Sequence, residues 1–251
     1  MEIWQVFMLF GIGAIAGMIN VMAGGGSTLT LPALIFLGLD GATANGTNRI
    51  AIFIQNIAAI LSFRGENVHQ FRTSFKLAVW TLPGAIIGAM AAVRISDEWF
   101  QKILGIVLIF VVISMMFSPS GKKGDLLSEA QLKKRTWFVY PSLFMVGFYG
   151  GFIQVGIGFI LMAILFHLMR LDLLLVNMHK VFIVLVYTLP ALLIFIWNGN
   201  VDWALGLSLA AGNSFGAWWA AKLSVKKGDR FIRYFLFVAV LFMAGKLLEL
   251  Y

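Results

Sequence analysis

GAIAGMINVMAGGGS (Gly13–Ser27) is apolar enough for a membrane helix, yet it carries glycine where a helix should stop. Each glycine costs about 1 kcal/mol relative to alanine in a helix interior, so the run Gly24-Gly25-Gly26 ends the helix. A second stretch, GFYGGFIQVGIGF (Gly147–Phe159), repeats the pattern 134 positions later. Gly13 falls on Gly147, Gly17 on Gly151, Asn20 on Gln154 and Gly24 on Gly158. Unwound backbone is tolerated at membrane depth only where it is buried in protein or lines a cavity. Paired breaks at corresponding points of two halves point to a secondary transporter with its site between them.

Composition agrees with a membrane location. The 251 residues are 61% hydrophobic and 12% charged, where soluble domains carry about 25% charge, and the mean hydropathy is +0.92. The absence of cysteine excludes disulfides, thiolate metal sites and cysteine nucleophiles. Met1-Glu2-Ile3-Trp4 has neither a basic n-region nor a small-residue cleavage site, so it reads as the start of a first span. The net charge of +8 reads as loop charge that fixes topology and not as a nucleic-acid surface.

Apolar runs bounded by charge, Gly, Pro or Asn give ten segments: 3–22, 27–38, 43–63, 75–93 and 98–117, then 136–156, 158–169, 173–195, 202–221 and 229–249. The first five form one repeat (1–117) and the last five a second (136–251), joined by a basic cytoplasmic linker (118–135). Segments 27–38 and 158–169 are short for a full crossing and follow the glycine breaks, as half-helices would. The correspondence continues beyond the breaks. LPALIF (Leu31–Phe36) matches LMAILF (Leu161–Phe166), Asp40 matches Asp172, and Gly84 and Gly88 match Gly212 and Gly216. With the N-terminus outside and every segment crossing, 15 of the 19 Lys and Arg residues lie in or beside inside loops, and only Arg49, Arg94, Lys102 and Lys246 outside. Five crossings per half make the second repeat inverted. The expected fold is an all-α, multi-pass integral membrane protein of the cell (plasma or inner) membrane, with about ten transmembrane or half-membrane helices in two inverted five-helix repeats.

Four blocks carry a family resemblance: GxxxGxxNxxAGGGSxLTxPAL (Gly13–Leu34), ANGTN (Ala44–Asn48), GNVDW (Gly199–Trp203) and GxxxGAWWAAKL (Gly212–Leu223). Together they resemble the TauE/SafE sulfite exporters, also called the toluene-sulfonate uptake permeases. The resemblance spans essentially the full length. It implies a permease for small sulfur-containing or organic anions such as sulfite and sulfonates. The second-half element Val176-Asn177-Met178-His179-Lys180 departs from the pattern, replacing glycine-threonine with bulkier and basic residues.

The candidate substrate-binding residues fall in paired clusters. Gly24, Gly25, Gly26 and Ser27, with Gly156 and Gly158, offer free backbone N–H groups ahead of short helices, the first capped by Ser27 or Thr28. Gly13, Gly17, Gly147 and Gly151 read instead as close helix packing. Asn20 and Gln154 sit one turn before each break, where a buried amide needs a partner, either a neighbouring helix or the substrate. Asn45, Thr47 and Asn48 pair with Asn177, His179 and Lys180. Lys180 inside a span, and Arg49 near its counterpart position, are either anion ligands or anchors reaching to the interface. His179 titrates near neutral pH and suits a coupling proton. Gln55, Asn56 and Tyr187 read as structural polar residues, and Pro83 and Pro190 as helix starts or kinks. No paired acids, Ser/His/Asp set, metal motif or phosphate loop is present, so no enzyme, cofactor or metal is expected. The expected partners are a small anion, with proton coupling left open, and the bilayer; a homo-oligomer is compatible and nucleic acid is not. The reading is a secondary transporter working by alternating access. An anion channel of the same fold is the alternative, and a membrane-embedded enzyme stands further off.

Overall fold

A computed structural model describes residues 2–116 and 129–247. All regular structure among them is helical: α1 (Ile3–Met22), α2 (Ser27–Phe36), α3 (Gly41–Gly65), α4 (Phe71–Val79), α5 (Leu82–Ala92), α6 (Asp97–Met116), α7 (Glu129–Phe152), α8 (Ile157–Ala163) with a π-helical turn (Ile164–Leu168), α9 (Leu173–Trp197) and α10 (Trp203–Leu247). Most of the linker expected at 118–135 lies outside the described residues, and its last part, from Glu129, is helical and continuous with α7.

By length and composition, α1 and α9 can each cross a membrane, and α4 with α5 make a third span if the pair, bent by 51°, is counted as one. The segment expected at 75–93 is therefore two helices, and Pro83, read as a helix start or kink, opens the second where its missing N–H costs nothing. At 1.5 Å per residue, α3 is about 38 Å long. It lacks the composition of a span because its inner face buries Asn45, Thr47, Asn48, Arg49, Gln55 and Asn56. By the same rise, ten-residue α2 reaches only about 15 Å, half of a hydrocarbon core of about 30 Å. The segments expected at 202–221 and 229–249 are two helices that meet at a kink, Gly228, where the backbone leaves helical geometry (φ 66°, ψ −168°); together they are α10.

Helix starts repeat between the halves. Asp40 accepts from Thr43 N at 3.0 Å and Asp172 from Leu175 N at 2.8 Å, so α3 and α9 are capped alike, and each has 25 residues. Such a cap contributes about 1 kcal/mol. The breaks are capped differently from expectation: α2 begins behind Gly26 with no side-chain cap. The Thr28 hydroxyl donates back to Gly25 O at 2.6 Å, and Ser27 Oγ accepts from Asn48 at 3.3 Å.

Two glycine seams organise the packing. A Cβ on Gly13 would meet Leu209 O at 2.8 Å and Asn213 N at 2.9 Å, and one on Gly17 would strike Asn213. From the other side, Gly212 and Gly216 of α10 press on the backbone of Phe10 and Ala14. The second seam joins Gly84 and Gly88 of α5 to the 144–152 backbone of α7, and Gly147 and Gly151 of α7 to Thr81 and Ala85. The corresponding glycines thus make one kind of contact twice, each time between different halves of the chain. Small residues let backbones approach this closely, and dispersion then holds the helices together. Outside the seams the surface carries Phe7, Phe36, Trp197 and Phe215, exposed as in a lipid-facing exterior.

Candidate functional site

Where a helix breaks, its last carbonyls lose their intrahelical partners. Residues 23–26 and 153–156 interrupt α1–α2 and α7–α8, and the two interruptions meet in the interior. Gly158 N donates to Gly24 O at 3.2 Å. A Cβ on either residue would come closer than 3.0 Å to the other's backbone. Gly24 adopts φ +90° and Gly156 φ +70°, and Gln154 holds φ +61° without the freedom of glycine. Glycine is needed at 24 for two reasons, conformation and space.

The long helices supply what the broken ends lack. Arg49 on α3 is fully buried and donates from Nη1 to Gly150 O at 3.0 Å and from Nη2 to Gly151 O at 2.5 Å. It also reaches Gln154 Oε1 and Asn45 Oδ1, each at 3.4 Å, and lies 4.8 Å from the centre of the Phe195 ring. Asn45 Nδ2 donates to Phe152 O at 2.7 Å, completing the end of α7. At the other break Lys180 on α9 donates to Val21 O at 2.7 Å, to Asn177 Oδ1 at 2.8 Å and to Met162 Sδ at 3.6 Å. Each cation therefore serves the carbonyl end of the broken helix from the other half, where positive charge is favoured. Neither one reaches out to an interface: Lys180 is 2% exposed and Arg49 not at all. The only ion pair among the described residues is Lys102–Glu98, on the exposed face of α6. Arg49 and Lys180 thus lie buried without a carboxylate.

A cavity of about 10 Å³ lies between the breaks, with Asn20, Ser27, Asn56, Gln154, Gly158 and Lys180 on its wall. That is space for roughly one water. Six sequence candidates are thus placed by the structure on or beside this cavity: Asn20, Ser27, Gln154, Gly158 and Lys180, and Asn48 through its bond to Ser27. Thr30 Oγ1 donates to Asn48 Oδ1 at 2.7 Å, and Gln154 Nε2 donates to Thr188 Oγ1 at 3.0 Å. Others lie elsewhere. Thr47 Oγ1 accepts from Asp202 N at 2.8 Å and holds the start of α10. His179 faces α4, with Nδ1 2.8 Å from Ser74 Oγ. Gly25 packs under the Phe159 ring, Gly26 against Ala16 and Asn20, and Arg49 is behind the cavity wall. Asn56, read from the sequence as structural, is on the wall. Its spacing of seven from Arg49, two helical turns along one face of α3, was the available sign.

Half-helices meeting over buried polar groups are how secondary transporters build their sites. The sulfite exporter TauE/SafE family model matches residues 9–247, and the chain belongs to that family. It is 28% identical over 240 residues to a probable membrane transporter protein of Haemophilus influenzae, covering 96% of this chain and 93% of that one. It is also 28% identical to the probable membrane transporter protein YfcA of Escherichia coli K12 (96% and 88% covered), and 27% identical to ORF9 of a Sinorhizobium species, likewise named a probable membrane transporter protein (96% and 91%). No solved structure matches the chain. The family and the names of these relatives indicate a membrane transporter.

Proposed function

We propose that the protein is a secondary transporter of the cell membrane for small sulfur-containing or organic anions, such as sulfite or sulfonates. One observation carries the reading: Arg49 and Lys180 are buried at the meeting of two helix breaks with no carboxylate of the described residues paired to them. A buried charge costs several kcal/mol unless it is compensated. Carbonyl oxygens compensate part of that, and an anion entering beside Lys180 would compensate the rest. The amides and hydroxyl on the same wall supply orientation.

The seams support a reading of alternating access. The two repeats are inverted relative to each other, with the N-terminus outside and the 118–135 linker in the cytoplasm. One moving body comprises α1, α2, α3 and the first part of α10. The seam holds α10 to α1, and Asp202 N to Thr47, Asn213 to Gln55 and Ser62 to Trp218 O hold it to α3. The other body comprises α7, α8, α9, α4 and α5, tied by the second seam, by Ser74 to His179 and by the Phe71 and Phe182 rings at 5.8 Å. Each body takes its fourth segment from the other half of the chain. Between the bodies run the bonds of Arg49, Asn45 and Lys180 to the broken ends, and the contact of Gly24 with Gly158.

The test is a binding and counterflow screen of purified protein in proteoliposomes against sulfite, thiosulfate, sulfoacetate, taurine and simple carboxylates. Saturable uptake accelerated by the same anion on the far side is expected. Flux that never saturates and shows no counterflow would assign a channel, and binding of none of these anions would overturn the reading.

A further inference from the structure

The hydrogen-bonding groups on the cavity wall are of mixed sign, and this narrows the anion. Asn56 Nδ2 donates to Ile52 O at 2.7 Å. The amide cannot be turned over, because its oxygen would then face that carbonyl oxygen. Its Oδ1 then remains without a hydrogen-bond partner among the described residues, on a side chain that lines the cavity. Among the described residues the Asn20 amide also has no hydrogen-bond partner, and it offers one acceptor and two donor hydrogens. Ser27 Oγ accepts from Asn48, so its hydroxyl hydrogen is free to donate. Gln154 gives one amide hydrogen to Thr188 and keeps a second. Lys180 supplies charge, and its weakest bond, to Met162 Sδ at 3.6 Å, is the one an anion oxygen would replace.

An anion made only of acceptor oxygens would satisfy the donors of Ser27, Gln154, Asn20 and Lys180. It would set an oxygen against Asn56 Oδ1. Leaving a buried acceptor without a donor is heavily penalised, and sites built this way reject analogues that lack the group. We propose that the substrate is a small anion carrying its own O–H or N–H donor beside the charged group, and that Asn56 on the cavity wall selects it by accepting that hydrogen. This rests on the reading of the cavity as the anion site, which has room for about one water as it stands and would admit an anion only as the two bodies part.

Matched pairs of equal charge separate the two ideas. Affinities of the purified full chain are measured for 2-hydroxyethanesulfonate against ethanesulfonate, and for glycolate against acetate. The hydroxylated member is expected to bind roughly tenfold tighter in each pair. Asn56→Leu, close in size but without an acceptor, is expected to bring the ratio to about one. The ratio in the unaltered protein decides by itself should that variant fail to fold. A ratio near one in the unaltered protein, or a preference that survives Asn56→Leu, overturns the proposal while leaving an anion site in place. Binding of none of the four anions removes the anion site, and the proposal with it.

Discussion

Lys180 is 2% exposed and has all three of its hydrogens engaged, by Val21 O, Asn177 Oδ1 and Met162 Sδ. Taking away its charge frees the α1 carbonyl and removes the cation from the cavity wall. A hydrogen bond to a charged group is worth roughly 1.5–3 kcal/mol, so Lys180→Gln should weaken anion binding about tenfold to a hundredfold. Lys180→Arg keeps the charge with altered geometry and should retain part of the affinity. The same exchanges at Lys226, which is exposed, should leave it unchanged; titration of the five proteins with one anion checks the series. Equal small effects at both positions would confine Lys180 to holding α1. Sequence distinguished Lys180 from the loop cations because it lies inside a span. It could not separate it from His179, since neighbours on a helix point about 100° apart. That turn sends His179 to Ser74 on α4.

At the scale of elements, the break at Gly24 contrasts with Gly11, thirteen residues earlier in α1. Gly11 has nothing within 4 Å of where a Cβ would stand, whereas Gly24 combines φ +90° with the Gly158 backbone. Gly24→Ala should destabilise the fold by about 1–3 kcal/mol and abolish transport, while Gly11→Ala should be neutral or slightly stabilising. Thermal unfolding in detergent, with transport measured in parallel, checks both. Equal stability of the two variants would mean that the breaks do not touch. The extents of α1, α3 and α9 were legible because apolar runs end at glycine, at the capping Asp40 and Asp172, or at charge. Pro83 marked the bend between α4 and α5 in the sequence, as a helix start or kink, but the angle of 51° comes from packing that an apolar run does not show. Asn56 was undervalued because an amide in an apolar helix looks the same whether it bonds its own backbone or faces a cavity. It does both.

For the whole molecule, the proposed division into two moving bodies can be tested because the chain has no cysteine. Cysteine pairs at Phe10 and Phe215 tether α1 to α10 within one body, where the two rings already lie 6.1 Å apart. Pairs at Phe63 and Met178, in one apolar cluster of α3 and α9, tether the two bodies. Bridging by a bifunctional thiol reagent should spare counterflow in the first variant and stop it in the second. Loss of counterflow in both would place the moving boundary elsewhere. The seams also bear on how the protein is made. When the ribosome has finished residue 117, α1 and α5 lack their closest partners, because the glycine faces that fit them belong to helices not yet synthesised. The first half must then wait in the bilayer as loosely associated helices and lock only when α7 and α10 arrive. Produced alone, residues 1–117 should be degraded, and produced together with residues 118–251 from separate messages, the two fragments should rescue one another.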